Sequence, residues 1–209
     1  IGGDSAIGEA TGRHLRGQSH DVAATTRRSD RVGPSRPFLD LSLPLNAWAP
    51  PEGTMACVCA AIARIAACEA DPVASEYVNV DQTLVVIDRL LATGKSVLFL
   101  SSDKVFDGTR ANMPPEAPTC PLTAYGRQKV RVEEALHERM ESGLPCAILR
   151  LAKVVAPDTA LLRGWVDALR NRRPVQAFHD MMAAPIPIAQ VAKAIAALLD
   201  DHARGIFQL

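Results

Sequence analysis

The chain has 209 residues, enough for one domain with a full hydrophobic core, and it combines a formal net charge of zero with 48% hydrophobic residues. This is the composition of an ordinary globular protein. Because it contains no basic block and no apolar run of membrane-spanning length, it predicts neither nucleic acid nor a membrane as a partner. The five cysteines lack metal-ligand spacing with histidine and no signal peptide is visible, which predicts no metal site and a cytoplasmic location.

The chain opens on a glycine-rich turn, residues 2–8, followed by a helical run to about Leu15. Glycines let backbone N–H groups at a helix N-terminus approach a pyrophosphate, although a turn that only caps a helix fits the same residues. The phosphate-loop interpretation gives five candidate cofactor-binding residues: Gly2, Ser5, Ala6, Ile7 and Gly8. Such a loop follows a strand, so we expect a few residues before Ile1 in the biological protein.

A short buried strand is predicted at His20–Thr26. In NAD-binding units a carboxylate near the end of this second strand binds the adenosine ribose diol. Here Thr26 takes that place and Arg27 and Arg28 follow it. Loss of the acid beside two guanidiniums favours a 2′-phosphate, so NADP is predicted over NAD; a solvated basic turn is the alternative.

Residues 29–53 form a proline-punctuated connection that excludes a long helix. Within it, Phe38–Leu41 is a short strand candidate, and Asp40 is placed near the adenine edge. The apolar run Thr54–Ala61 then predicts a strand covered on both faces. It ends at Ala60 and Ala61, whose small side chains suit a backbone lying against a cofactor, though they also suit tight packing alone.

Strand and helix patterns alternate through the middle of the chain. Helical spacing covers Val80–Leu91, a buried strand covers Ser96–Ser102, a helix contains Tyr125, and a strand covers Cys146–Arg150. This alternation predicts an α/β fold with a doubly wound parallel sheet. We place the dinucleotide-binding domain at residues 1–155. Residues 156–209, too few to fold alone, are predicted to pack on it as a small substrate lobe.

Tyr125 and Lys129 are four residues apart, so on a helix they share one face. An ammonium group near a phenol stabilises the phenolate and would bring its pKa from about 10 towards neutrality. Ser102, at the end of a predicted strand, could hydrogen-bond a carbonyl oxygen that the tyrosine protonates. A tyrosine that merely packs against a lysine stem is the alternative interpretation of this spacing.

Two sequence blocks resemble one known family. Residues 101–108, S-S-D-K-V-F-D-G, resemble the S-T-D-x-V-F-D-G signature of dTDP-4-dehydrorhamnose reductases, which belong to the extended short-chain dehydrogenase/reductase family. Residues 121–129, P-L-T-A-Y-G-R-Q-K, resemble the P-L-x-x-Y-G-x-x-K of the same proteins. Lys104 and the segment Leu151–Ala156 depart from the family pattern, which leaves the substrate open.

The resemblance implies an NAD(P)-binding Rossmann fold with a small substrate lobe, and NAD(P)-dependent reduction of a keto group on a nucleotide-linked sugar or similar carbonyl compound. It implies that Tyr125 is the acid/base, that Lys129 steadies it and the nicotinamide ribose, and that Ser102 binds the substrate oxygen. It also places Asn79 in the cofactor site and His179–Asp180 near the substrate. Because the family continues beyond Phe207, part of the lobe is expected after Leu209.

Two alternatives use the same residues. The chain could be a regulatory subunit that binds a dinucleotide without catalysis, or a sugar-nucleotide epimerase that returns the hydride to its substrate. A homodimer is compatible with the sequence.

Overall fold

The computed structural model describes residues 1–157, 159–175 and 183–209. Its larger sheet has four parallel strands, which are adjacent in the order β1 (Met55–Val58), β2 (Ser96–Ser102), β3 (Cys146–Leu151) and β6 (Gly205–Gln208). Two further strands, β4 (Lys153–Val155) and β5 (Pro185–Pro187), form a separate two-stranded parallel sheet. The predicted residues His179–Asp180 lie outside the described part of the chain.

Helices cover both faces of the larger sheet. Seven α-helices are present in the described residues: α1 (Ala6–Gly17), α2 (Ile65–Ala70), α3 (Pro72–Glu76), α4 (Thr83–Ala92), α5 (Ala124–Glu141), α6 (Ala160–Arg170) and α7 (Ile188–Asp200). On one face Phe99 and Ile148 pack with residues of α4 and α5, and on the other Leu98 and Leu149 pack with α7. This is the doubly wound parallel α/β architecture that the sequence predicts. None of the described helices is long and apolar enough to cross a bilayer.

The apolar run of β2 explains its central place in the sheet. Val97, Leu98, Phe99 and Leu100 are all buried, because alternate side chains enter the two cores on opposite faces. Strand β2 pairs with β1 on one side and with β3 on the other, so its buried backbone N–H and C=O groups have hydrogen-bond partners. The carboxyl end of β2 therefore presents residues 101–102 at the edge of the sheet where ligands bind in folds of this kind.

The predicted strand at His20–Thr26 is wrong as a strand. Only Thr25 and Thr26 in this segment are buried, and Thr26 forms a single parallel bridge with Phe38. The Thr26 N–H donates to the Pro37 carbonyl at 3.0 Å, and the Leu39 N–H donates to the Thr26 carbonyl at 2.9 Å. Ala24 likewise donates to the Ser35 carbonyl at 2.9 Å, but Pro37 has no N–H to donate to Ala24. The neighbouring proline-punctuated segment therefore supplies isolated hydrogen bonds in place of a ladder.

The last forty residues contribute directly to the larger sheet and its layers. Strand β6 pairs with β3, with Ile206 opposite Ile148, and Val191 and Ile195 of α7 are buried in the same core as Leu98. The division between residues 1–155 and 156–209 stays a prediction.

Candidate active site

The glycine loop is packed so closely that side chains are excluded. Gly2 has a φ of +83°, and a Cβ there would lie 2.7 Å from the backbone nitrogen of Ala60. A Cβ on Gly8 would lie 2.3 Å from the carbonyl oxygen of Gly2. These positions need glycine, one for its positive φ and both for the close approach of backbone. The end of β1 and the start of α1 are thereby held together around the loop.

Ser5 closes the loop at the N-terminus of α1. Its Oγ accepts from the Gly8 N–H at 3.0 Å and donates to the Gly2 carbonyl oxygen at 2.9 Å. Within the described chain, the backbone amides of Ala6 and Ile7 have no hydrogen-bond partner. Free N–H groups at a helix N-terminus form an anion site, so the loop fits the pyrophosphate of a dinucleotide.

A cavity of about 250 Å³ lies beside this loop. Six of the predicted cofactor-binding residues line it: Gly2, Ser5, Arg27, Asp40, Ala60 and Ala61. The remaining predicted residues of the adenosine and phosphate region lie outside its lining: Ala6, Ile7, Gly8, Thr26, Arg28 and Asn79. The structure thus brings together the loop, the end of the second extended segment and the end of β1.

The second extended segment ends at Thr26, and two arginines, Arg27 and Arg28, follow it. Thr26 is buried and its hydroxyl donates to a carboxylate oxygen of Asp4 at 2.6 Å. Arg27 and Arg28 are exposed, and their guanidiniums form no ion pair with the described residues. Asp40 also lines the cavity, and its carboxylate accepts from the N–H and hydroxyl of Ser42 at 2.9 and 2.7 Å.

Ser102 ends β2 and caps the turn that follows it. Its Oγ donates to Asp103 at 3.0 Å and accepts from the Lys104 N–H at 3.3 Å. Helix α5 packs directly on this turn, since a Cβ on Gly126 would lie 2.2 Å from the Lys104 carbonyl oxygen. The glycine after Tyr125 therefore lets the helix approach the strand end that carries Ser102.

Tyr125 and Lys129 lie on the buried face of α5, as their spacing predicts. Lys129 is 4% exposed, and its Nζ donates to the Leu100 carbonyl oxygen at 2.8 Å. The same ammonium lies 4.4 Å from the ring centroid of Phe99 and 5.6 Å from that of Tyr125. A hydrogen bond and two aromatic faces thus hold the charge beside the phenol ring.

The prediction that Lys129 lowers the pKa of Tyr125 towards neutrality is wrong. Burial raises the pKa of Tyr125 to about 12, and the charges of Cys68 and Asp103 act in the same direction. Burial also lowers the pKa of Lys129 to about 8, although the charge of Glu133 opposes this change. Loss of water disfavours the charged form of each group, and it is the largest cause of both pKa changes. The phenol is therefore fully protonated at neutral pH.

Asn79 lies inside the protein on a π-helical segment, Tyr77–Gln82, between α3 and α4. Its amide accepts from the Ile62 N–H at 2.7 Å and donates to the Ile62 carbonyl at 3.0 Å. It also donates to Gln128 at 2.8 Å, which in turn donates to Ser75 at 2.7 Å. Asn79 thus holds the backbone just after Ala61, and Gln128 connects this contact to the helix of Tyr125. Gln128 occupies a variable position of the P-L-x-x-Y-G-x-x-K pattern, so the sequence carries no signal for this contact.

Replacing Asn79 by Leu is expected to lower the free energy of unfolding by about 2–3 kcal/mol, because both backbone groups of Ile62 lose their partner in a partly buried site. Urea denaturation measures this. Asp81→Asn, an exposed change on the same π-helical segment, should alter stability by less than about 0.5 kcal/mol. A loss below about 1 kcal/mol in Asn79→Leu would show that other contacts hold this backbone.

The fold and the loop define a Rossmann-type α/β protein. The structure superposes on UDP-glucose 4-epimerase of Thermus thermophilus in complex with NAD with a TM-score of 0.78, at 21% identity over 99% of this chain and 75% of that one. A hypothetical dTDP-4-dehydrorhamnose reductase from Sulfolobus tokodaii gives a TM-score of 0.80, at 21% identity over 100% of this chain and 74% of that one. At this level of identity, the comparison establishes the fold.

The sequence matches the family described as RmlD substrate binding domain over residues 1–208, and the chain belongs to this family. It is 29% identical to dTDP-4-dehydrorhamnose reductase of Burkholderia thailandensis over 154 residues, which are 71% of this chain and 51% of that protein. It is 36% identical to methionine adenosyltransferase 2 subunit beta of Pongo abelii over 93 residues, 44% of this chain and 27% of that protein. The chain therefore spans about half, or less, of the length of these relatives.

Proposed function

We propose that this protein is an NAD(P)-dependent oxidoreductase of the extended short-chain dehydrogenase/reductase type. Its substrate would be a keto group on a nucleotide-linked sugar or a similar small carbonyl compound. The observation that carries the proposal is the position of Tyr125 and Lys129 on the buried face of α5, packed on the turn that Ser102 caps. The similarity to a dTDP-4-dehydrorhamnose reductase supports the substrate class.

In this proposal each of the three side chains has one role at the substrate oxygen. The Tyr125 hydroxyl, protonated because burial raises its pKa, donates a proton to the carbonyl oxygen as negative charge develops there. The Ser102 hydroxyl, which donates to Asp103 in this structure, would turn to donate to the same oxygen and hold it in position. The ammonium of Lys129 stabilises the phenolate that the transfer leaves. A nicotinamide dinucleotide, when bound, supplies the hydride.

The glycine loop and its neighbouring cavity would hold the dinucleotide. The free amides of Ala6 and Ile7 suit its pyrophosphate, and the cavity between the loop and Asp40 suits its adenosine. The exposed guanidiniums of Arg27 and Arg28 support NADP, because they can pair with a 2′-phosphate.

A second cavity, of about 590 Å³, is the candidate for the substrate. Asp103, Lys104 and Phe106 from the turn after Ser102 line it, together with residues 183–184 and 208–209 of the C-terminal segment. Two cations line it: Arg110, and Lys104, whose Nζ lies 2.8 Å from a carboxylate oxygen of Asp103. Both suit the phosphates of a nucleotide-linked sugar. This supports the prediction that residues after 155 take part in substrate binding.

A second candidate function is a dinucleotide-binding subunit without catalysis of its own. The similarity to a protein named as subunit beta of methionine adenosyltransferase 2 favours it. An epimerase that uses Ser102, Tyr125 and Lys129 is a third assignment with the same residues.

Thermal unfolding with dinucleotides, followed by turnover assays, tests the proposal. NADH or NADPH at about 100 times its Kd should stabilise the fold by about 2.7 kcal/mol, and GTP at the same concentration should give no stabilisation. Oxidation of the reduced dinucleotide should then follow addition of one keto-sugar nucleotide from a panel. Stabilisation without turnover on a broad panel would favour the subunit, whereas tightly held NAD on purification and no net oxidation would favour the epimerase. Absence of stabilisation by either dinucleotide would overturn the proposal.

A further inference from the structure

Asp4, in the middle of the glycine loop, reaches the end of the second extended segment. Its Oδ2 accepts from the Thr26 hydroxyl at 2.6 Å and from the Arg27 N–H at 3.3 Å. Thr26 is the position at which NAD-binding units carry an acidic residue for the adenosine ribose. The second extended segment has no carboxylate of its own at this position. The glycine loop instead places the carboxylate of Asp4 beside it.

The surroundings of Asp4 keep it ionised. Burial alone would raise its pKa, but the hydrogen bonds from Thr26 and Arg27 and the charge of Arg36 lower the pKa below its ordinary value. Arg36 donates to Oδ1 at 3.3 Å, and a guanidinium nitrogen of Arg31 lies 3.9 Å from the same oxygen. The Asp4 side chain is 17% exposed, so it is accessible from the cavity that it lines.

This arrangement has two consequences for the adenosine 2′ position. An ionised carboxylate accepts hydrogen bonds from a ribose diol but repels a phosphate dianion at the same place. In addition, the carboxylate pairs with Arg36 at 3.3 Å, while Arg31 lies 3.9 Å from both Asp4 and Glu9, so two of the four nearby guanidiniums are already paired. Arg27 and Arg28 remain for a phosphate, as the described residues offer them no ion pair. Both effects of Asp4 therefore oppose the preference for NADP that Arg27 and Arg28 provide.

We propose that Asp4 is the residue that discriminates between NAD and NADP in this chain. It favours the 2′-hydroxyl by direct acceptance, and it disfavours the 2′-phosphate by its charge and by its hold on Arg36. This role rests on the proposed function, since it requires that the loop bind a dinucleotide. The sequence-based prediction favoured NADP because no acid ends the second extended segment. In the folded protein, the glycine loop places the Asp4 carboxylate beside Thr26 at that position.

The test is the ratio of the two dissociation constants, Kd for NADPH divided by Kd for NADH, measured by isothermal titration calorimetry. Asp4→Asn keeps an oxygen acceptor for Thr26 and Arg27 but removes the charge, and it should lower this ratio by about tenfold. The matched control is Asp30→Asn, which removes one exposed charge from the neighbouring 3₁₀ turn, Ser29–Arg31, and should change the ratio by less than about twofold.

A second variant, Asp4→Ser, removes the same charge with a smaller side chain, and it gives the same expected fall if the asparagine variant does not fold. A ratio within about twofold of wild type in the folded variants would overturn the role of Asp4 while leaving dinucleotide binding in place. Failure of the wild type to bind either dinucleotide would overturn the proposed function, and the role of Asp4 with it.

Discussion

Replacing Tyr125 by Phe is expected to lower kcat for carbonyl reduction by about 10²- to 10⁴-fold, while the Kd of the reduced dinucleotide changes by less than about twofold. The ring that packs beside the Lys129 ammonium is retained in this variant, and only the proton donor is removed. The measurement is steady-state oxidation of the reduced dinucleotide with a keto-sugar nucleotide, together with calorimetric titration of the dinucleotide.

The chain contains a second tyrosine that serves as a matched control. Tyr77 lies on the π-helical segment and takes no part in the proposed chemistry, so Tyr77→Phe should keep kcat within about twofold of wild type. A Tyr125→Phe protein whose kcat stays within about threefold of wild type would remove this residue from the mechanism.

The pH profile of the wild-type reaction separates the roles of the two side chains. With a pKa near 12, Tyr125 stays protonated through the neutral range and can donate throughout it. Lys129, with a pKa near 8, is an ammonium below that pH and is neutral above it. The rate of reduction should therefore fall as pH rises through about 8, because the phenolate left by proton transfer loses its stabilising charge.

The elements that local pattern determines could be predicted from the sequence. The apolar run of β2 predicted the observed bounds Ser96–Ser102, and the sequence also predicted the helix that contains Tyr125. The segment 20–26 could not be predicted in this way, because the partner of Thr26 decides whether an extended segment becomes a strand. That partner is a segment with Pro34 and Pro37, which cannot form a continuous ladder.

The candidate site shows the same limit. Spacing on a helix places Tyr125 next to Lys129, and the structure agrees. The direction of the tyrosine pKa could not be obtained from spacing, since it depends on how much water burial removes from the phenol and the ammonium. The contact between Asp4 and Thr26 joins residues 22 positions apart, and only the tertiary fold brings them together.

A buried ion pair joins β3 to α5 near the site. Arg150 and Glu133 are 4% and 5% exposed, and the guanidinium donates to the carboxylate from Nε and Nη2, the latter at 2.7 Å. Arg150 also donates to the Pro115 carbonyl at 3.0 Å and lies 5.0 Å from the ring centroid of Phe106. The Arg150 guanidinium therefore contacts three parts of the chain near the candidate site: helix α5, the loop at Pro115 and the turn at Phe106.

Replacing Glu133 by Ala is expected to lower the free energy of unfolding by about 3–5 kcal/mol, because Arg150 is left as an uncompensated buried charge. Urea denaturation gives the value, and Glu134→Ala, the exposed neighbour on the same helix, should cost less than about 0.5 kcal/mol. The double variant Glu133→Leu, Arg150→Met removes both charges and should regain most of the loss, since a buried pair contributes little beyond a well-packed apolar replacement. A double variant as unstable as Glu133→Ala would instead assign the stability to the contacts of Arg150 with Pro115 and Phe106.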